Sequence, residues 1–233
     1  MKRFTFIPLA VLLPLAAQAG FSANLAVTTD YVWRGVSQTL GDPALQGGLD
    51  FEHDSGVYAG VWASKVDFFD GGDPEADPAD DDGADVEIDY YAGFAGETEN
   101  GLGWDIGIVS YTFPDSDLDS SEEVYLGLSY NMFSAQVSQD FGSDSTYVEA
   151  AAEIALPKEF VFTVHASLFS FEDDIDYLDF KLALGKTFGG FDFELAYTDT
   201  DLSDTECADA DFAGFEDVCD GTVTLTVTKV LEF

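Results

Sequence analysis

Apolar and polar residues alternate with a period of two along nearly all of the chain after residue 21, which is the spacing of a β-strand. In one segment Val86, Ile88 and Tyr90 alternate with Glu87 and Asp89. No segment keeps the spacing of an amphipathic helix over several turns. The pattern predicts about twelve strands, at residues 22–35, 44–53, 57–69, 86–98, 102–113, 122–131, 133–141, 146–156, 160–171, 177–188, 191–201 and 222–233.

The connections between these strands alternate in length. Short turns lie at residues 54–56, 99–101, 131–133, 157–159 and 188–190, and several contain the Gly or Asn that tight hairpins favour. Longer, mostly acidic connections lie at 36–43, 70–85, 114–121, 142–145, 172–176 and 202–221. Short turns on one side and longer loops on the other are typical of bacterial outer-membrane barrels. An even number of strands then leaves both termini on the periplasmic side.

A soluble β-sandwich or a lipocalin-like barrel would show the same alternation, with its apolar face turned inward. Features at both ends of the chain favour the membrane. Residues 1–19 have a basic start, a short apolar run and the triplet Ala17-Gln18-Ala19, as in a cleaved secretory signal peptide. The last strand ends at Phe233, as outer-membrane barrels commonly do, and that ending is a recognition signal for the barrel-assembly machinery. The sequence therefore predicts a signal peptide at 1–19 and an all-β, transmembrane, antiparallel up-and-down barrel at 20–233, surrounded by outer-membrane lipid.

The charge balance narrows the classes of partner. The 233 residues include 8 Lys and Arg against 46 Asp and Glu. Removal of the signal peptide takes Lys2 and Arg3 with it, which leaves a formal net charge of −40. Nucleic acid is excluded as a partner, because phosphate contacts need Lys and Arg. Aromatic residues are also abundant, at 15%. A membrane barrel accommodates both properties, with aromatics facing lipid and acids in the lumen and loops.

Most charged residues of the predicted strands occupy the alternate positions that we assign to the inner face of the barrel. Dense carboxylates in a narrow lumen favour cations and oppose anions, so we predict a passage for small solutes or cations, without a cofactor. The alternative is a water-poor polar core, because a barrel of this size can be open or plugged. The predicted pore-lining residues are Asp30, Arg34, Asp50, Glu52, Lys65, Asp67, Glu87, Asp89, Asp105, Glu123, Glu149, Glu153, Asp179, Lys181, Asp192 and Glu194.

Asp30 and Arg34 lie four residues apart, both at inward-facing positions of the first predicted strand. They are candidates for a charged constriction, or for a structural ion pair.

The outer loops offer two further candidate sites. Cys207 and Cys219 are the only cysteines, and an exported protein meets an oxidising compartment, so a disulfide bracing the last loop is predicted. Asp115, Asp117 and Asp119 have the alternate spacing of a calcium loop. Ser120 replaces the glycine of that motif and Leu126 its final Glu, so solvated acidic loops are favoured over a metal site.

An enzyme is the second class considered. His53 and His165 are the only histidines, and Ser167 lies two residues from His165 on one strand, which is a poor geometry for a nucleophile and its base. No Gly-x-Ser-x-Gly or nucleotide-binding motif is present, so we predict that the protein is not an enzyme. A closed barrel with a structural or adhesion role is the third class, and only solute flux separates it from a pore.

Several segments resemble a known family. They include Asp30-Tyr31-Val32-Trp33-Arg34-Gly35-Val36-Ser37-Gln38, together with residues 42–51, 56–67, 123–129 and 188–200. In these segments the chain resembles the TorF-type porin family of proteobacteria, a conserved hypothetical family, over essentially the whole mature length. The resemblance implies an outer-membrane barrel that acts as a pore. The acid density of the loops and the cysteine pair depart from the family pattern.

Overall fold

The computed structural model describes residues 20–68, 83–116, 118–172, 175–210 and 217–233. Within these ranges, twelve antiparallel strands form a closed barrel, in which the first strand pairs with both the second barrel strand and the last. Two very short strands, β2 (Val32–Trp33) and β3 (Val36–Ser37), form a separate hairpin. The barrel strands are β1 (Gly20–Thr28), β4 (Ala44–Glu52), β5 (Val57–Phe68), β6 (Ala84–Glu97), β7 (Leu102–Thr112), β8 (Ser121–Tyr130), β9 (Phe133–Asp140), β10 (Ser145–Leu156), β11 (Phe160–Phe171), β12 (Tyr177–Phe188), β13 (Phe191–Thr200) and β14 (Thr222–Glu232).

The two ends of the barrel differ in the way the sequence predicts. At the end that holds Gly20 and Phe233, here called the termini end, neighbouring strands are joined by tight turns. Gly56, Asn131 and Gly189 supply the positive φ angles that three of these turns need. The longer connections lie at the opposite end, here called the loop end.

Side chains alternate between the two faces of the barrel wall. On the outer face large apolar side chains are exposed along each strand, such as Leu126, Leu182 and Leu225. The inner face carries Tyr, Ser, Thr, Gly and most of the acidic residues of the strands, and many of them are buried. This is the reverse of a soluble barrel, so the lipocalin-like alternative does not describe this molecule. No described helix has the length and apolar character of a membrane span.

The prediction that the first strand extends over residues 22–35 is wrong at the loop end. Strand β1 stops at Thr28, and the chain then leaves the barrel wall and forms β2 (Val32–Trp33) and β3 (Val36–Ser37). The apolar alternation through Val32 and Trp33 imitates a continuing strand. It instead reflects contacts that these residues make inside the lumen.

Candidate functional site

The segment 29–43, here called the lumen hairpin, crosses the interior of the barrel near its loop end. The Trp33 ring contacts Tyr111 of β7, with ring centroids 5.9 Å apart. Gly35 lies against β13, because a Cβ added to it would be 2.5 Å from Thr200 Cγ2. Because β7 and β13 are six strands apart in a closed barrel of twelve, they lie on opposite sides of the wall. The lumen hairpin therefore spans the lumen from side to side.

Local chemistry explains why the segment turns back on itself. Val32 pairs with Ser37 and Trp33 with Val36, which leaves Arg34 and Gly35 as a two-residue turn. Both turn residues have positive φ, at 48° and 87°. That combination gives the twist that two-residue hairpins require, and glycine adopts it readily.

Asp30 ties the two ends of the hairpin together. Its Oδ1 accepts hydrogen bonds from Ser37 Oγ at 2.6 Å and from Thr39 Oγ1 at 3.0 Å. The backbone N–H of Gln38 also donates to the Tyr31 carbonyl at 2.6 Å. Asp30 therefore organises the hairpin and does not pair with Arg34, so the predicted Asp30–Arg34 ion pair is not formed.

Arg34, at the tip of the hairpin, is held by one carboxylate and three aromatic rings. Its Nη1 and Nη2 donate to the two carboxylate oxygens of Glu123 on β8, at 2.6 and 2.7 Å. The guanidinium carbon lies 4.2 Å from the ring centres of Trp33 and Tyr147 and 4.7 Å from that of Phe169. Burial alone would lower the pKa of Arg34, but the Glu123 carboxylate raises it above its ordinary value. The hairpin tip therefore carries a permanent positive charge.

The last outer loop covers the hairpin from the loop end. The disulfide between Cys207 and Cys219 is present, and both cysteines are buried in one apolar cluster with Val36 of the hairpin. The Ser37 N–H donates to the Val218 carbonyl at 2.8 Å, beside the cystine. Short helix α1 (Asp204–Asp209) begins at a capping box between Ser203 and Glu206. The cystine-braced loop therefore packs directly on the hairpin.

Below the hairpin, hydrogen bonds organise the inner wall. On one side Tyr58 donates to Asp105 at 2.7 Å, and Tyr91 donates to Asp50. On the other side Lys181 forms an ion pair with Glu194, with Nζ and Oε1 2.6 Å apart.

His165 belongs to the same inner wall. Its Nε2 lies 2.9 Å from Glu149 Oε2, and its Nδ1 lies 3.6 Å from Asp179 Oδ1. Ser167 donates its hydroxyl hydrogen to the Asp179 carboxylate. The serine and the histidine thus share a carboxylate, an arrangement unlike that of a nucleophile bonded to its base.

Two acidic side chains behind the hairpin differ from the others. Glu87 and Asp89 are adjacent inward positions of β6, at 5% and 0% exposure. Glu87 Oε2 and both carboxylate oxygens of Asp89 have no hydrogen-bond donor among the described residues. Asp89 also lies close enough to Glu123 for the two carboxylates to interact electrostatically. Acidic side chains in this part of the lumen therefore outnumber the single base, Arg34, which is bound to Glu123.

Comparison with known proteins places this architecture in a family. A sequence profile described as a bacterial protein of unknown function, Gcw_chp, matches residues 15–231. The chain belongs to the Gcw_chp family. A search of curated protein sequences finds no match. The TorF-type resemblance stays a prediction, because the family description carries no such name.

Two solved structures are similar to this Gcw_chp chain to different degrees. One is the NanC porin, with 10% sequence identity and a TM-score of 0.54, covering 90% of this chain and 98% of that one. Another is the outer membrane protein opdK from Pseudomonas aeruginosa, with 10% identity and a TM-score of 0.41, covering 82% of this chain and 58% of that one. At this identity the likeness to NanC shows a common barrel fold.

The structure of this Gcw_chp member places most of the predicted pore-lining residues inside the barrel. Arg34 and Asp30 reach the lumen through the hairpin. The residues on the inner face of the wall, by register and burial, are Asp50, Glu52, Glu87, Asp89, Asp105, Glu123, Glu149, Glu153, Asp179, Lys181, Asp192 and Glu194. Whether they line a conducting path stays a prediction.

Lys65 is a wrong assignment. Lys65 is paired in the sheet with Val86, whose side chain is on the outer face, so Lys65 also points outward. Its ammonium nitrogen lies 3.6 Å from Asp67 Oδ2. Asp67 lies at a β-bulge, where its N–H donates to the Gln38 carbonyl of the hairpin. The polar-inside rule fails here because β5 turns Trp62 inward, against the Tyr31 ring of the hairpin at 5.4 Å.

The sequence did not mark the residues that surround Arg34. Trp33, Tyr147 and Phe169 lie in segments whose alternation predicts strands and nothing more. One available signal was the Arg34-Gly35 pair, which lies between Val32-Trp33 and Val36-Ser37. A glycine-containing pair in this position fits the turn of a two-residue hairpin. The acidic loop 70–85 lies mostly outside the described residues, and so does Asp117. Within the described ranges no group of three or more candidate ligands is arranged to hold a metal ion.

Proposed function

We propose that this chain is an outer-membrane, porin-like channel for small hydrophilic solutes, with both termini on the periplasmic side. The division of the closed barrel into an apolar outer face and an acidic inner face carries the proposal. Leu126, Leu182 and Leu225 point outward with exposures of 47%, 39% and 43%, and similar residues surround the wall. Such a continuous apolar surface is unfavourable in water and suits lipid.

The inner face supports a preference for cations. Arg34 and Lys181 are each bound to a carboxylate, Glu123 and Glu194, so their charges are already neutralised. Glu52 and Glu153 lie nearer the termini end of the lumen, where they have partial access to solvent. A passing ion would therefore meet a surplus of negative charge, which attracts cations and repels anions.

One observation favours a second candidate, a closed barrel with a structural or adhesion role. The lumen hairpin reaches opposite walls, and Arg34 is almost completely buried. If the hairpin never moves, it is a permanent plug. We favour the channel, because β2 and β3 form a separate two-stranded sheet and add no strand to the barrel.

The last strand supports a further part of the proposal. β14 closes the barrel by pairing with β1, and Phe233 follows it with 80% exposure. An exposed terminal aromatic residue is available for recognition before the barrel closes. We propose that the barrel-assembly machinery recognises this strand during membrane insertion.

Single-channel recording tests the proposal. Residues 20–233 would be refolded, checked for heat-modifiable migration and placed in a planar bilayer under a potassium chloride gradient. We expect discrete conductance steps with a reversal potential toward that of potassium. The double variant E52Q/E153Q should lose part of this selectivity, whereas E99Q in an exposed turn should not. A folded barrel that never conducts, in the native form or as R34A, would favour the closed barrel.

A further inference from the structure

The Arg34 side chain is bound in the way that a protein binds an organic cation. The wall supplies a bidentate carboxylate, Glu123, and the faces of Tyr147 and Phe169. Planar guanidinium groups and alkylammonium groups are recognised by this combination of carboxylate and aromatic rings. Trp33, the third ring, comes from the hairpin itself. With the hairpin displaced, Glu123, Tyr147 and Phe169 would still face the lumen.

A second observation points independently to a positively charged ligand. Asp89 is completely buried with both carboxylate oxygens unpartnered among the described residues, and Glu87 Oε2 is also unpartnered. Tyr111, opposite Asp89 in the register, donates to Glu123 at 3.4 Å, which connects the two regions. Buried carboxylates are unfavourable without hydrogen-bond donors or a cation. Arg34 is bound to Glu123, and no described base is paired with Glu87 or Asp89.

Resting on the proposed channel function, we propose that Arg34 is the internal occupant of a binding site for organic cations. A solute with a guanidinium or primary ammonium group replaces Arg34 on Glu123 and displaces the lumen hairpin. A second cationic group on the same solute would interact with Asp89 and Glu87. The site thus assigns a substrate class to the channel, and the hairpin closes the lumen when no such solute is bound.

The attachments of the hairpin fit such a displacement. The Arg34 carbonyl accepts a hydrogen bond from Tyr177 at 2.9 Å, the Ser37 N–H donates to Val218, and the Gln38 carbonyl accepts from the Asp67 N–H at the bulge of β5. None of these three bonds belongs to the ladder that closes the barrel, so they can break without disturbing it. The internal arginine also competes with the solute. A ligand that binds only the displaced form has an apparent affinity reduced by the fraction of molecules in that form.

Calorimetric titration of the refolded protein in detergent tests the site without reference to conductance. Methylguanidinium is the probe, and urea, which is planar and uncharged, is the control ligand. R34A should bind methylguanidinium saturably, at least about tenfold more tightly than the native chain, because its site has no internal occupant. R34A/E123Q should bind at least about tenfold more weakly than R34A. Equal binding in R34A and R34A/E123Q, or equal heats with urea, would overturn the proposal.

A second measurement uses the native chain, in case R34A does not fold. Agmatine, which carries a guanidinium and a primary ammonium group, should accelerate amide exchange at Ser37 and Gln38 several-fold. The Thr98–Leu102 turn at the termini end should be unaffected. Unchanged exchange at saturating agmatine would contradict displacement of the hairpin. Cation binding without any conductance would reject the channel and keep the site, whereas conductance without binding would reject the site alone.

Discussion

At the scale of single residues, the tip of the lumen hairpin combines a charge and a glycine with separate roles. Arg34 supplies the cation that Glu123 binds. Gly35 supplies the positive φ of the turn and the close approach to β12 and β13, where a Cβ would lie 2.8 Å from Asp179 Cβ and 2.5 Å from Thr200 Cγ2. The arginine therefore determines what the tip binds, and the glycine determines how closely it fits the wall.

Replacing Gly35 should loosen the hairpin. An alanine at φ 87° costs about 1–2 kcal/mol, and its contact with the wall adds about 1–3 kcal/mol. G41A is a matched control, because Gly41 has φ 80° but no atom within 4 Å of the added Cβ. We expect amide exchange at Ser37 and Gln38 to be faster in G35A than in G41A by at least about tenfold. Equal rates would mean that the close approach to Thr200 does not hold the hairpin.

At the scale of elements, each barrel strand is stabilised by neighbours on both sides, whereas the hairpin depends on side chains. Its β2–β3 pairing covers only two residues in each strand. Further support comes from Glu123, the surrounding rings, the cystine-braced last loop and single hydrogen bonds from Tyr177 and Asp67. Such an element can undock while the barrel stays intact, because local stability follows local contacts.

Removal of the disulfide should therefore affect the loop end first. The bond closes a short loop with a sequence separation of 12, and such closures contribute about 3 kcal/mol or less. In C207S/C219S we expect faster exchange at Ser37, whose N–H is bound to Val218 beside the cystine. The ladder between β6 and β7 should keep its protection, and exchange measured by mass spectrometry compares the two regions. Equal loss in both would show that the cystine stabilises the whole barrel.

At the scale of the whole molecule, the barrel reverses the arrangement of a soluble protein. Apolar residues cover the outside of the wall, and most charged residues of the strands lie on its inner face, where acids outnumber bases. A soluble environment would penalise the exposed leucines, and a dry interior would penalise the unpartnered Asp89. Lipid outside removes the first penalty, and the cations that we propose for the lumen would remove the second.

Lipid contact predicts a dependence on depth for charged substitutions on the outer face. Leu182 lies at the middle of β12 and Phe188 at its termini end, and both point outward. In lipid vesicles L182R should lower the free energy of unfolding by about 2–4 kcal/mol, and F188R by about 0–1 kcal/mol. Urea titration of the refolded barrels measures both. Equal small effects would argue against a membrane midplane at Leu182.

Much of the fold was predictable from the sequence, because strand periodicity and turn chemistry are local. Eleven of the predicted strands agree with described strands to within a few residues, and the cysteines are joined as expected. On most strands, the alternation of apolar and polar residues also predicted which side chains lie on the inner face. The expectation that the polar face points inward failed at Lys65, because Trp62 of the same strand packs inward on the hairpin. This contact joins segments distant in the chain.

The sequence by itself determined an alternating, acidic β-chain and the side of the wall on which most residues lie. Those properties follow from a period of two and from charge, which need no knowledge of distant contacts. Only the tertiary structure decided that residues 29–43 enter the lumen and that Arg34 meets Glu123, 89 positions away. Barrel closure brings these residues together, and no local pattern records which strands will face each other across the lumen.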